Sequence, residues 1–181
     1  MRHGRILRLH RRDQPGARLI GRHPWYRTGP GIVCALVLLV AACGGRAGPA
    51  GANAENGVGV HGYDVVAYHV WNRAERGDPA FTATHRGVVY HFLSAAHRDR
   101  FRADPERWLP AYGGWCAWAI ADGELVDVDP ERFLVDDGRL FLFYDGLWGD
   151  TLVRWRAGDP ALLERRADAH WRSLAGALDR D

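Results

Sequence analysis

Residues 80–101 read AFTATHRGVVYHFLSAAHRDRF. Two β-rich runs, Ala80–His85 and Val88–Leu93, flank Arg86-Gly87, and glycine at that place suits a tight hairpin turn. Ser94 follows where a helix N-cap belongs, ahead of AAHRDRF, and Asp104-Pro105 closes that helix. Strand, turn, strand and helix in so short a span predict a small α+β domain.

The same reading extends outward. Pro105 to Leu109 suits a short helical turn leading into AYGGWCAW (111–118), and Ile120–Val128 suits an irregular strand broken at Asp122-Gly123. Phe133-Leu134-Val135, Asp136-Asp137-Gly138 and Leu140–Tyr144 form a second hairpin signal. Trp148, Leu152 and Trp155 recur at helical spacing, as do Leu163, Ala167, His170 or Trp171, and Leu174, so two or three amphipathic helices end the chain. Upstream, DVVAYHV (64–70) reads as a strand. The predicted architecture is one α+β domain over 61–176, with antiparallel hairpins and C-terminal helices. There is no internal repeat.

The N-terminal end differs from this body. All 24 Lys+Arg positions are Arg, and eight of them fall in residues 1–43 beside a single acid, Asp13. The rest of the chain holds 16 Arg against 21 acidic residues, a formal −5. A mildly acidic body argues against a nucleic-acid partner, which needs a basic face to displace counterions. The basic end reads as targeting.

That basic stretch runs into IVCALVLLVAAC, whose apolar run from Ile32 to Ala42 has 11 residues. A bilayer core needs about 20, whereas a signal-peptide core of about 7–15 with small residues before the cut fits. Val40-Ala41-Ala42-Cys43 is similar to a bacterial lipoprotein signal, with Cys43 the lipidated first mature residue. Acyl chains on Cys43 would hold an exported domain on the membrane of the cell envelope. An ordinary signal peptide or a short uncleaved anchor are the alternatives. Residues 44–60, GGRAGPAGANAENGVGV, have no hydrophobic period and read as a flexible tether.

Cys34 falls inside the apolar core, so Cys116 is the one thiol left after Cys43, and the mature domain has no internal disulfide. Stability is then the work of the core.

GYDVVAY (62–68), YHFLSAAHRDRF (90–101), ADPERWLPAYGGWCAW (103–118) and ADAHW (167–171) together resemble the YHS-domain family, over about residues 61–174. The resemblance implies a small α+β module. In the family, paired cysteines beside heavy-metal ATPases are the presumed metal ligands. This chain departs from that pattern: Phe92-Leu93-Ser94-Ala95-Ala96-His97 carries leucine and histidine where the metal-type version has cysteines. The thiolate site does not carry over, and His97 is the ligand type left in its place.

Six histidines follow Cys43, and five of them lie between 61 and 97: His61, His69, His85, His91 and His97. Imidazole with thiolate suits copper or zinc. No tight CxxC or HxxxH pair is present. His97 precedes Phe101 by one helical turn and should share its inward face. Cys116, His97 and His91 are therefore the candidate ligands of a soft metal. The competing readings are a core histidine and a cysteine packed among Tyr112, Trp115 and Trp118, whose apolar surroundings quieten a thiol. A thiol-dependent enzyme is the third. His85 and His91 flank the first hairpin, where they would meet across it or simply face solvent. Asp64 reads as a turn or cap residue, and VDVDPE (126–131) as a solvated loop and N-cap, or a calcium loop. The expectation is a copper-type metal-binding module of the envelope. Its alternative is a metal-free module recognising an envelope partner or small ligand through its aromatics.

Overall fold

The computed structural model describes residues 51–178, which belong to one compact unit. The proposed signal, Cys34, Cys43 and the tether up to residue 50 lie outside the described residues. Helices and antiparallel hairpins build a small α+β domain, in agreement with the reading above. Among the described residues no helix is long and apolar enough to cross a membrane.

Strand β3 (Asp78–His85) and β4 (Val88–Phe92) form the first hairpin, turning at Arg86-Gly87, both at positive φ. Helix α2 (Ala95–Ala103) follows at once, and Ser94 Oγ accepts from the His97 amide as its cap. The second hairpin, β5 (Asp129–Asp136) with β6 (Arg139–Phe143), turns at Asp137-Gly138, again both at positive φ. Helices α4 (Thr151–Ala157) and α5 (Pro160–Leu178) close the chain and hold Leu152, Trp155 and the series from Leu163 to Leu174; Trp148 lies outside α4, before its Asp150 cap, and is exposed.

β6 joins the two halves of the core. Its residues alternate across the strand: Leu140 and Leu142 enter the cluster around the first sheet, while Phe141 and Phe143 pack with Leu152, Trp155 and Ala167 of the terminal helices. Both faces are covered, which is why the strand's last four residues, LFLF (140–143), are one continuous apolar run.

Three expectations fail. Residues 64–70 are a helix, α1 (Val65–Trp71), capped by Asp64, whose Oδ1 accepts from Val66 N and Ala67 N at 2.8 and 3.3 Å. Val65, Val66, Ala67 and Tyr68 are all fully buried, and a run buried on every side loses the period that separates helix from strand. Asn72, left-handed at φ 51°, ends it. Residues 117–121 are also helical, α3 (Ala117–Ala121), with irregular backbone from 122 to 128 in place of the expected strand. Its small residues Ala117 and Ala121 share the core cluster with Ala167 of α5, while Ala119 faces the cluster around the first sheet.

The third failure is the tether. From residue 51 onward the expected linker is built into the domain. β1 (Ala54–Glu55) and β2 (Val58–Gly59) pair with each other, and β2 adds in parallel to β4, giving the order β1-β2-β4-β3. Trp115 Nε1 donates to Gly51 O at 2.7 Å, and Asn53 N to Gly113 O at 2.9 Å. The segment's glycines serve built structure: Gly57, at φ 81°, makes the turn between β1 and β2.

Candidate functional site

Asp64 and His97 form the most buried polar pair. Asp64 is fully buried and His97 is 5% exposed, with Nδ1 and Oδ2 2.6 Å apart. A carboxylate oxygen accepts, so Nδ1 carries the hydrogen. Oδ2 also accepts from Leu93 N at 2.8 Å, and Oδ1 takes the two α1 amides. Four donors thus converge on one carboxylate, tying the start of α1 to the start of α2. The sequence reading placed His97 inward and Asp64 at a cap, but not the two together; their spacing of 33 residues hides the contact. The Trp71 ring stacks at a tilt on the imidazole, 4.8 Å between centroids.

Cys116 is elsewhere in bonding terms. It is fully buried, and its sulfur lies 3.5 Å from Thr151 Oγ1. That hydroxyl donates to Tyr144 O at 2.8 Å, so its hydrogen is spent and the thiol is the donor to it. Cys116 therefore acts as a small hydrophobe with one weak hydrogen bond. Tyr112 and Gly113, both left-handed, turn the chain just before it, and the Cys116 amide donates to Val126 O.

His91 does not join either residue. On β4 the buried positions are Val88, Tyr90 and Phe92, so His91 points to the opposite face, where it covers Gly62. Nor does it meet His85: the register pairs His91 with Thr82 and His85 with Val88. His85 Nε2 instead lies 2.9 Å from Glu106 Oε1. The three candidate ligands Cys116, His97 and His91 are thus not brought together. Among the described residues no group of three or more His, Cys, Asp or Glu side chains is placed to hold a metal ion.

The other singled-out positions are accounted for locally. His69 is partly buried against Trp108; burial pushes its pKa down, and its Nε2 has no partner among the described residues. Asp127 of VDVDPE accepts from Asn53 Nδ2, pairs with His61 Nε2 at 2.8 Å, and accepts from Val128 N. Burial works to raise its carboxyl, but these hydrogen bonds outweigh it and hold the group below the usual carboxylate range. VDVDPE is thus a latch for the N-terminal segment that leads into β5, and it caps no helix.

What the sequence did not show is a cleft of about 330 Å³ between the two hairpin turns. Tyr90 of β4 and Tyr112 of the glycine turn line it, with Trp171 of α5, Arg86, Arg107 and Arg139. Gly59 seats Tyr90, since a Cβ there would stand 2.7 Å from the ring. Tyr112 donates to Asp168 Oδ1 at 2.9 Å, and its ring meets Trp171 edge to face at 6.2 Å. Arg139 pairs with both Glu164 and Asp168 and lies over the Tyr112 and Phe141 rings. Arg86 is bound to Glu106 at 2.8 Å. Tyr90 is 5% exposed, yet its hydroxyl makes no hydrogen bond among the described residues. Burial pushes that hydroxyl up to about 12, with Glu106 adding to the rise and Arg86 opposing it. It is a neutral donor at any ordinary pH.

Comparison with family models, with curated proteins and with solved structures finds no match for this chain.

Proposed function

We propose that this chain is a small recognition module whose working site is the cleft between its two hairpin turns. The observation that carries this reading is the Tyr90 hydroxyl: it belongs to a residue only 5% exposed, has no protein partner among the described residues, and is left to the concave aromatic cleft it lines. Among the described residues the only fully buried side-chain polar atom without a partner is His69 Nε2, so the Tyr90 hydroxyl keeps access to the cleft, and a donor that opens on a concave pocket is suited to a ligand or water. The resemblance to YHS domains supports a binding role for so small a domain. The lipoprotein-like signal supports an exported, membrane-anchored placement; loss of lipid labelling in Cys43→Ser would be its signature.

The test is a titration of the protein with small aromatic compounds, followed by NMR on the tryptophan indole and tyrosine ring signals. Saturable shifts centred on Trp171, Tyr90 and Tyr112 are expected. Shifts scattered over the exposed tryptophans Trp71 and Trp148 would overturn the reading.

Metal uptake at His97 is the second reading, and one observation favours it. An imidazole whose Nδ1–H is fixed by a buried carboxylate presents Nε2 in the way metal-ligating histidines are commonly held. Titration with Cu(I), Cu(II) and Zn(II) tests it beside His97→Ala and Cys116→Ser. Stoichiometric binding lost in His97→Ala and kept in Cys116→Ser would favour it. Loss in both variants would restore the Cys116–His97 pair, and a metal-free wild type at micromolar ion would remove the reading.

A further inference from the structure

The two sheets end in four edges, and three of them are shielded or cut short. β1 is only two residues long. β3 carries Pro79, a bulge between Asp78 and Thr82, and the Arg102 guanidinium, which donates to Thr82 O at 3.1 Å. β6 is covered by bridges from Leu140 to Pro110 and from Leu142 to Cys116. Such devices blunt a strand edge, which otherwise offers a row of unpaired amides and carbonyls.

β5 has no such shield past its bulge between Asp129 and Phe133. Beside the two-residue turn, Asp136–Arg139 and Leu134–Phe141 are the hydrogen-bonded pairs of the hairpin. Val135–Leu140 and Phe133–Leu142 are then the non-bonded pairs, and their backbone groups point away from each other. On the β6 side these groups meet the bridges at Leu140 and Leu142. On the β5 side the amides and carbonyls of Phe133 and Val135 have no partner among the described residues. The side chains from Arg132 to Val135 are half-buried, and a groove of about 430 Å³ opens beside them. Its walls are residues 131–135, Asn72 at the end of α1, and Leu152 and Arg156 of α4.

The sequence along this edge is complementary to itself. Two copies of Arg132-Phe133-Leu134-Val135-Asp136, laid antiparallel about Leu134, set Phe133 against Val135, Leu134 against Leu134 and Arg132 against Asp136. Phe133 and Val135 are then the bonded pairs, joined by the backbone groups the hairpin leaves free. An aromatic opposite a β-branched residue is also a favourable cross-strand pair. Moving the axis to Phe133 would set Leu134 against Arg132, and moving it to Val135 would set Leu134 against Asp136. One register therefore suits both backbone and side chains. Arg132 already lies between Asp145 and Asp150, so the unlike charges select the register more than they add affinity.

We propose that β5 is the interface of a homodimer. A second copy of this chain adds its own β5 antiparallel to this one about a two-fold axis at Leu134, and the two hairpins join as a sheet in the order β6-β5-β5-β6. The contact is isologous, as a closed two-fold dimer requires. It uses none of the residues of the aromatic cleft, so the two readings stand or fall separately.

Sedimentation of the full chain in density-matched detergent micelles reads the association, and a cross-link reads its register. The wild type should pass from monomer to dimer as its concentration rises. Val135→Pro removes an outward amide without breaking a bond of the β5–β6 ladder, and should weaken the dimer about tenfold. Asp136→Arg sets like charges opposite each other and should weaken it about threefold. In a Cys34→Ser, Cys43→Ser background, Leu134→Cys should form a disulfide-linked dimer on mild oxidation, since facing Cβ atoms lie about 4.5–5.5 Å apart. Asp136→Cys, whose opposite number is Arg132, should not. A wild type still monomeric at about 1 mM would overturn the proposal. Association unchanged in both Val135→Pro and Asp136→Arg would move the interface elsewhere in the chain, and equal cross-linking at 134 and 136 would overturn the register. A monomeric wild type that takes an unrelated extended peptide into this groove would keep the edge but overturn the second copy as its occupant. The cross-link leaves the backbone unaltered and decides the matter even if Val135→Pro folds poorly.

Discussion

Tyr90 and Tyr112 face the same cleft from opposite walls and are equally buried, at 5% and 3% exposed. Tyr112 is fully used by the protein: its hydroxyl donates to Asp168, and Arg139 covers its ring. Tyr90 is used only for its ring, which stacks on Phe101 at 5.1 Å and fills the space over Gly59. One wall is scaffold and the other keeps a donor in reserve. Burial alone does not distinguish a structural tyrosine from a functional one; the fate of its hydroxyl does.

That contrast between spent and unspent polar groups can be broken at several points. The largest effect is expected at Asp64, whose carboxylate satisfies three amides and an imidazole. Asp64→Ala would strand these donors in a dry site and cost about 3–5 kcal/mol in urea unfolding, with Asp64→Asn in between. A loss below about 1 kcal/mol would mean water reaches the pair.

Next comes the scaffold wall. Tyr112→Phe leaves Asp168 short of a donor and should cost about 1 kcal/mol. Arg139→Gln should cost about the same: it leaves Glu164 and Asp168 facing each other without their cation, at a site still partly open to solvent. Acid titration should register the loss. Burial works to raise the Asp168 carboxyl, but Arg139 and Tyr112 outweigh it and hold the group below its ordinary value. A depressed carboxylate contributes stability above its unfolded pKa of about 4, lost as pH falls through the folded value. The wild type should therefore destabilise more steeply than Arg139→Gln below about pH 4.

Alkaline titration sharpens the comparison further. Burial raises both hydroxyls, Tyr90 to about 12 and Tyr112 further still, the latter also through its bond to Asp168. A raised pKa contributes stability that is complete below the unfolded value of about 10 and is lost as pH rises through the folded one. Stability should then fall across pH 10–12, and phenolate absorbance should appear late, with unfolding. Early, reversible ionisation of Tyr90 would mean that its hydroxyl is in bulk water.

The smallest effect is the most informative. Tyr90→Phe should leave stability within about 0.5 kcal/mol of the wild type, because no protein bond is lost. A cost above about 1 kcal/mol would reveal a hidden partner and remove the hydroxyl from the site.

Local chemistry was legible in the chain. Ser94, Arg86-Gly87 and Asp137-Gly138 act through their own backbone neighbours, so their roles follow from position alone. The hairpins, α2, α5 and the Leu152–Trp155 part of α4 were legible for this reason. DVVAYHV was not, because its first turn, Val65 to Tyr68, is buried all round and erases the period that would have marked a helix. Gly51 to Val60 was not, because a partner 60 residues away, Gly113 and its neighbours, makes it structure. Inward placement of His97 was legible from Phe101; its partner was not, because Asp64 lies 33 residues away.

The sequence by itself thus determined the α+β class, the hairpin turns, the capped helices and the solitude of Cys116 among the thiols after Cys43. All of these rest on local propensity or on counting. Only the tertiary structure decided that Asp64 and His97 meet, that Cys116 bonds to Thr151, and that Tyr90, Arg107, Tyr112 and Trp171 share a cleft. The first two contacts cross 33 and 35 positions, and the cleft draws on residues spread over 81, brought together by how the two hairpins pack on the helices. No local pattern encodes which of two equally buried tyrosines keeps its hydroxyl free.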